Sequence, residues 1–389
     1  MASHLQLITS PATLAAHPPP CRRSSTRFMA PRRPSTSSSV SAAAATTTTS
    51  SSSSSSGGSR QSTTTATGTT ETSPAKVTLK LTYLEINGWV WEVQRQRGGG
   101  DPLRILVDPV VAGNLDFGMP WLYDGAKKHP KVKALGVADL LAPAMAPDLL
   151  LITSSLDDHC HARALAELAA MAPDLPVVTT PNARRVLAAL PMPFRRVTYL
   201  EPGQSAAVGD GVGVLATAGP VWGPPWQRPE NAYILTAGDD VAATGGGNDD
   251  GGGTSGGGGG LLFYEPHCVY DRSFMERNRL RADVVVTPVV KQILPGNLTI
   301  VSGQEDAVDL ARLLRARYVV PMSNADMDAT GLLTAVLSTS GTTQSFKAMM
   351  SEELPEVQVL DTMPGVPLRL ELDMEARAAD AVTTKVFKY

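Results

Sequence analysis

One stretch, "DLLLITSSLDDHCHARALAELAAM", constrains the fold more than any other. Its opening apolar run is short and has no polar alternation, so it reads as a fully buried strand. Leu165, Leu168, Ala169 and Ala172 then recur at i, i+3, i+4 and i+7, the spacing of one helix face. Strand, polar loop, helix is the layout that places site residues at a strand's carboxyl end. Ser154, Ser155, Asp157, Asp158, His159, Cys160 and His161 all fall in that loop.

The rest of the chain surrounds this unit with strands. "KVTLKLTYLEI" and "GWVWEVQ" read as partners around the "NG" turn at Asn87 and Gly88, and "RILVDP" as a third strand ending at Asp108. "LPVVTT" and "NARRVLAAL" repeat the strand-then-helix unit. "RRVTYL", "QSAAVG", "GVGVLATAG" and "NAYILTA" follow as short strands between turn signals. Alternation returns with "LLFYEPH", "DVVVTPV", a helix carrying Ala307, Leu310, Ala311 and Leu314, then "RYVVPMS" and a helix near "ATGLLTAVL". Two β-rich blocks, each continued by strand and helix units, predict sheets packed together with helices outside. Residues 245–260, "GGGNDDGGGTSGGGGG", lack the Gly-Lys-Ser/Thr ending and the following helix of a phosphate loop, so they read as a flexible hairpin extension.

Charge and cysteine content narrow the function. The first 70 residues carry six arginines and no acidic residue, and are rich in Ser, Thr, Ala and Pro. That composition predicts a transit peptide over residues 1–75 and a chloroplast (plastid stroma) location, with the folded domain spanning 76–389. Beyond residue 70 stand 28 basic against 37 acidic residues, a balance unsuited to a nucleic-acid groove. No apolar run is long enough for a transmembrane segment. Of three cysteines, Cys21 lies in the leader, leaving Cys160 and Cys268, too few for a disulfide framework.

The order "RILVDP", "LLLITSSLDDHCH", "NAYIL", "LLFYEPH", "VVVTPV" and "YVVPMS" resembles the metallo-β-lactamase superfamily, in particular its lactonase-like branch. The resemblance covers nearly all of the chain after the leader and implies an α/β fold, a four-layer αββα sandwich. It also implies a Thr-His-x-His-x-Asp-His motif over 153–159, where this chain has Ser154 and Leu156 at the first two histidine positions and keeps Asp158 and His159. Leucine cannot ligate a metal, and the two-metal site of the family needs those histidines. The loop expected to give a third histidine reads "AGPVWGPPWQRPENAY" and has none, and the distal Pro-x-His position falls at Ser323. The bridging-aspartate position falls near Glu265.

The degenerate motif leaves two chemistries. Asp158, His159, His267 and Glu265 could converge on one zinc, iron or manganese ion, with Asp158 and His159 at the catalytic centre of a hydrolase acting on an ester, lactone or phosphoester. The leading expectation is instead a cofactor-free pseudoenzyme that binds a small molecule or a plastid protein, with Asp158 and His159 hydrogen-bonded to hold the loop. Ser154, His161, Trp222, Trp226, Arg228 and Ser323 are candidate pocket residues, the tryptophans as a floor and Arg228 as an anion contact, with plain packing the alternative for the loop. A serine nucleophile paired with His159 is disfavoured, because residues so close on one turn seldom line up. His129, in "AKKHP", reads as solvated surface. The fold predicts that His159 and His267 approach within roughly 8 Å and that Cys160 and Cys268 form no disulfide.

Overall fold

The computed structural model describes residues 76–95, 100–209, 211–224, 226–237 and 259–373. The leader and residues 245–258 of the glycine tract lie outside the described residues. Gly259 and Gly260, expected as loop, instead begin the strand Gly259–Tyr264. A Cβ at Gly260 would stand 2.2 Å from Ile234 Cγ2 and 2.7 Å from the Arg281 carbonyl oxygen. The flanking strands close over this position, so only a residue without a side chain fits.

Two seven-stranded sheets form the frame. In the first, Pro367–Asp373, Lys76–Tyr83, Trp89–Arg95 and Leu103–Val107 pair antiparallel in that order. The sheet then continues in parallel through Leu149–Ile152, Val177–Thr179 and Val197–Tyr199. The second sheet repeats the plan, with Ser205–Gly209, Val212–Ala218, Asn231–Ala237 and Gly259–Tyr264 antiparallel. Arg281–Pro288, Tyr318–Met322 and Gln358–Val359 extend it in parallel.

Strand periodicity sorts the side chains into layers. Leu149 and Leu151 pack between the sheets with Tyr264, Val284 and Val286, while Leu150 and Ile152 face the helix Ala162–Met171 through Leu165 and Leu168. On the far sheet Val285 packs instead against Ala307, Leu310, Ala311 and Leu314 of the helix Gln304–Leu314. Helix, sheet, sheet, helix is the αββα order. The apolar run at 149–152 is buried throughout because both of its faces meet a core.

Three local expectations change. The first hairpin turns at Glu85 and Ile86, which take positive φ of 62° and 58°, so the first strand ends at Tyr83 rather than at the "NG" pair. The segment near "ATGLLTAVL" forms the strand Asp328–Thr330 and a single 3-10 turn, Leu332–Ala335, none of whose residues is buried. Of its apolar residues only Ala329 and Leu333 pack, partly buried, against the small cluster of Ile86, Val110, Leu115 and Tyr123, too little apolar contact to stabilise a helix there. The helix lies further on, at Thr343–Glu353, where Thr342 and Ser345 cap each other's backbone and Phe346 and Met350 supply the buried contacts. "NARRVLAAL" yields only a 3-10 turn and the five-residue helix Arg184–Ala188.

Candidate functional site

The site assembles where loops from the two sheets meet. After Ile152 the chain turns through Leu156, whose carbonyl accepts from His159 N at 3.0 Å and Cys160 N at 2.7 Å. That turn swings His159 back over the strand end. Asp108, directly after the strand Leu103–Val107 and fully buried, accepts from Thr153 N (2.8 Å) and Thr153 Oγ1 (2.5 Å). His159 Nδ1 lies 2.9 Å from the same carboxylate, which leaves Nε2 directed toward Asp158 Oδ2, 3.1 Å away.

His267 arrives from the second sheet. Glu265 follows the strand Gly259–Tyr264, and its carboxylate accepts from His267 N (3.0 Å) and Val269 N (2.6 Å) while His267 Nδ1 stands 2.9 Å away. The Glu265 carbonyl accepts from Thr287 Oγ1 at 2.8 Å. With Nδ1 so engaged, Nε2 is the nitrogen of His267 left to act as a ligand. The ring centroids of His159 and His267 are 5.0 Å apart, inside the separation expected from the sequence. Asp158, His159 and His267 each offer one ligand atom, and these atoms lie within 4.8 Å of one another. Glu265 stands behind His267 rather than in that trio.

These residues fit a metal ion. Two imidazoles and a carboxylate are an N/O donor set suited to zinc, iron or manganese. Asp158 Oδ1 is sealed from solvent yet has no hydrogen-bond partner among the described residues, an unmet acceptor that a cation would satisfy. Burial pulls the His159 pKa down, but the charges of Asp158 and Asp108 and their hydrogen bonds outweigh it and push it up to about 10. Burial raises Asp158, while the charge and hydrogen bond of His159 and the charge of His267 hold it below the usual carboxylate range. Metal-free, the two neighbouring carboxylates thus favour the charged form of His159.

Sequence reasoning missed the supports. Asn87 Nδ2 donates to Asp158 Oδ2 at 3.1 Å and Asp158 O at 3.2 Å, and lies 3.1 Å from His159 Nε2. Tyr264 Oη donates to the Asn87 carbonyl at 2.7 Å, and Asn324 Nδ2 donates to Asn87 Oδ1 (3.3 Å) and Pro266 O (2.9 Å). In the sequence Asn87 reads only as a turn residue; Asp108 carries the better signal, a lone acid ending an apolar strand.

The other candidates disperse. Ser323 is exposed, and its carbonyl accepts from Asp326 N at 3.0 Å. Trp226 is 85% exposed, and Arg228 pairs with Glu201 at 3.0 Å instead of facing the centre. Ser154 is buried, its Oγ accepting from Leu156 N at 3.3 Å, and Ser155 Oγ donates to Glu230 Oε1 at 2.6 Å, so neither serine touches His159. His161 stands at the N-terminal cap position of the helix Ala162–Met171, its ring beside Arg163 and Asp157 and making no capping hydrogen bond. His129, expected on the surface, is half-buried, and its backbone N–H donates to Glu85. Trp222 alone reaches the centre, its ring 4.9 Å from that of His267. Cys160 and Cys268 are free and buried, and burial pushes both thiols well above their ordinary range.

The chain is thus an αββα sandwich in which two histidines and an aspartate converge where loops of its two sheets meet. A family model described as "Beta-lactamase superfamily domain" matches residues 80–323, and the chain belongs to that family. No curated protein matches significantly. Among solved structures, the chain is similar to Igni18, a metallo hydrolase from the archaeon Ignicoccus hospitalis, at 17% identity over 76% of this chain and 99% of that one, with a TM-score of 0.48. It is similar to isothiocyanate hydrolase from Delia radicum gut bacteria at 18% identity, covering 74% and 98%, with a TM-score of 0.48. Zn(2+)-bound PqqB from Methylobacterium extorquens gives 13% identity, 76% and 100% coverage and a TM-score of 0.41. No helix among the described residues is long and apolar enough to cross a membrane.

Proposed function

We propose that the chain is a hydrolase of an ester, lactone or phosphoester that works with one metal ion held by Asp158, His159 and His267. The observation that carries this reading is the convergence of those three ligand atoms within 4.8 Å, drawn from loops of both sheets. A divalent ion bound there supplies Lewis-acid polarisation of the scissile group and lowers the pKa of water. Asp108 and Glu265 hold the two imidazoles by their Nδ1 atoms, which leaves the Nε2 atoms as the ligand atoms an ion would take. Asn87 and Asn324 brace the Asp158 side of the centre against the second-sheet loop.

The same network favours a second reading, a plastid pseudoenzyme that binds a small molecule or a protein partner without any cofactor. Asn87 already contacts His159 Nε2 and Asp158 Oδ2, so protein groups alone close much of the centre. Elemental analysis of protein purified without chelators separates the two. The hydrolase reading expects about one equivalent of zinc, iron or manganese, lost in His267→Ala, together with metal-dependent turnover of aryl ester, lactone or aryl phosphodiester substrates. Less than about a tenth of an equivalent leaves the pseudoenzyme.

A further inference from the structure

The loop carrying Trp222 is closed at its base. Gly219 N donates to Glu230 O and Glu230 N to Pro220 O, both at 2.8 Å, and Asn231 N donates to Thr153 O at 3.0 Å. With the Ser155–Glu230 hydrogen bond, these fix the loop to the strand end from which Asp158 and His159 depart. The Trp222 ring stands at 71° to His267, centroids 4.9 Å apart, and is partly exposed. Its Nε1–H, however, is sealed from solvent and donates to nothing among the described residues.

A buried indole N–H ordinarily has an acceptor, and one left without is destabilising. Trp89 and Trp91 also bury an unpaired Nε1, but both are 0% exposed in the core between the sheets, where no ligand arrives. Trp222 differs in position: partly exposed, with its ring against His267, on a loop closed at its base. We propose that Trp222 Nε1–H is a hydrogen-bond donor to the carbonyl, carboxyl or phosphoryl oxygen of whatever binds at Asp158, His159 and His267. This rests on the one-metal reading and adds the group by which the chain itself holds the reacting oxygen. A donor so placed costs no reorganisation as charge develops on that oxygen, and stabilises it most where water is excluded. The substrate class it selects offers an anionic or strongly polarised oxygen within reach of an indole edge.

The test uses the full zinc-loaded chain with acetate as the probe. Acetate affinity is measured by calorimetry, and the indole N–H resonances are followed by 15N-labelled tryptophan. The Trp222 signal is identified by its loss in Trp222→Phe and independently by its relaxation when Co(II) replaces zinc. The expected result is a downfield move of that signal on acetate binding, with affinity weakened about tenfold in Trp222→Phe while zinc stoichiometry is unchanged. Zinc retained, with the resonance unmoved or acetate unbound, overturns the inference and leaves the metal reading standing. Zinc absent from the wild type overturns both.

Discussion

His159 and His267 belong to loops of different sheets, yet their rings lie 5.0 Å apart at 42°, and each holds its Nδ1 2.9 Å from a buried carboxylate. Each carboxylate directly follows a strand of the histidine's own sheet. Asp108 ends Leu103–Val107 in the first and Glu265 ends Gly259–Tyr264 in the second. Each sheet thus delivers one imidazole already aimed, and the packing of the two sheets sets the distance between them.

Metal affinity should depend steeply on pH. His159 is pushed up to about 10 in the metal-free chain, so an ion must displace its proton. Zinc affinity is expected to rise about tenfold per pH unit between pH 6 and 8, with one proton released, measured by competition against a chromophoric chelator. A flat profile would mean that His159 is not a ligand.

The same shift has a stability signature. The folded pKa of His159 exceeds the unfolded value of about 6.5, so its contribution is full below about pH 6.5 and is lost as pH rises through about 10. Buried Lys127 acts oppositely: burial lowers it to about 8, so its penalty fades between about pH 8 and 10.5. The diagnostic quantity is therefore the unfolding free-energy difference between wild type and His159→Asn, metal-free. It should narrow from pH 6 to 10 in urea melts, and a constant difference would remove the imidazolium from the account.

Much of this centre was legible in the sequence because strand ends are local. Leu149–Ile152 and Gly259–Tyr264 announced themselves as apolar runs, and the polar residues after them became the site. What stayed hidden depends on contacts distant in sequence. Asn87 sits next to a glycine and mimics an ordinary hairpin turn, and only its approach to Asp158 shows its role. Pro367–Asp373 does alternate, with Leu368, Leu370 and Leu372 between polar residues, but its place in the first sheet comes only from pairing with Lys76–Tyr83 across nearly the whole domain. Glu265 was identifiable as a site residue, but whether it faces an ion or the back of His267 is decided by rotamer and backbone, as at Val269 N.

Residues 1–75 fused to a fluorescent reporter should direct it into plastids in leaf cells. The absence of acid from the first 70 residues, together with six arginines, motivates this. Fluorescence confined to the cytosol, or to mitochondria, would refute the plastid address and leave the metal centre untouched.

Glu265→Gln should damage metal binding without unfolding the chain. Glu265 Oε2 accepts from two backbone N–H groups, His267 N and Val269 N, whereas Oε1 faces His267 Nδ1. A glutamine has one acceptor oxygen, and the two backbone donors claim it. Its NH2 group then faces Nδ1 and donates, which forces the proton of His267 onto Nε2. That nitrogen can no longer ligate without losing its proton or the new hydrogen bond. Zinc affinity should fall about 10–100-fold, the range for outer partners of a ligating histidine. The urea midpoint of the metal-free protein should change little, since the turn keeps both backbone bonds. Glu265→Ala loses those bonds too and should lower both, by about 1–3 kcal/mol in stability. If Glu265→Gln binds zinc as wild type does, His267 is held in its tautomer by something other than Glu265.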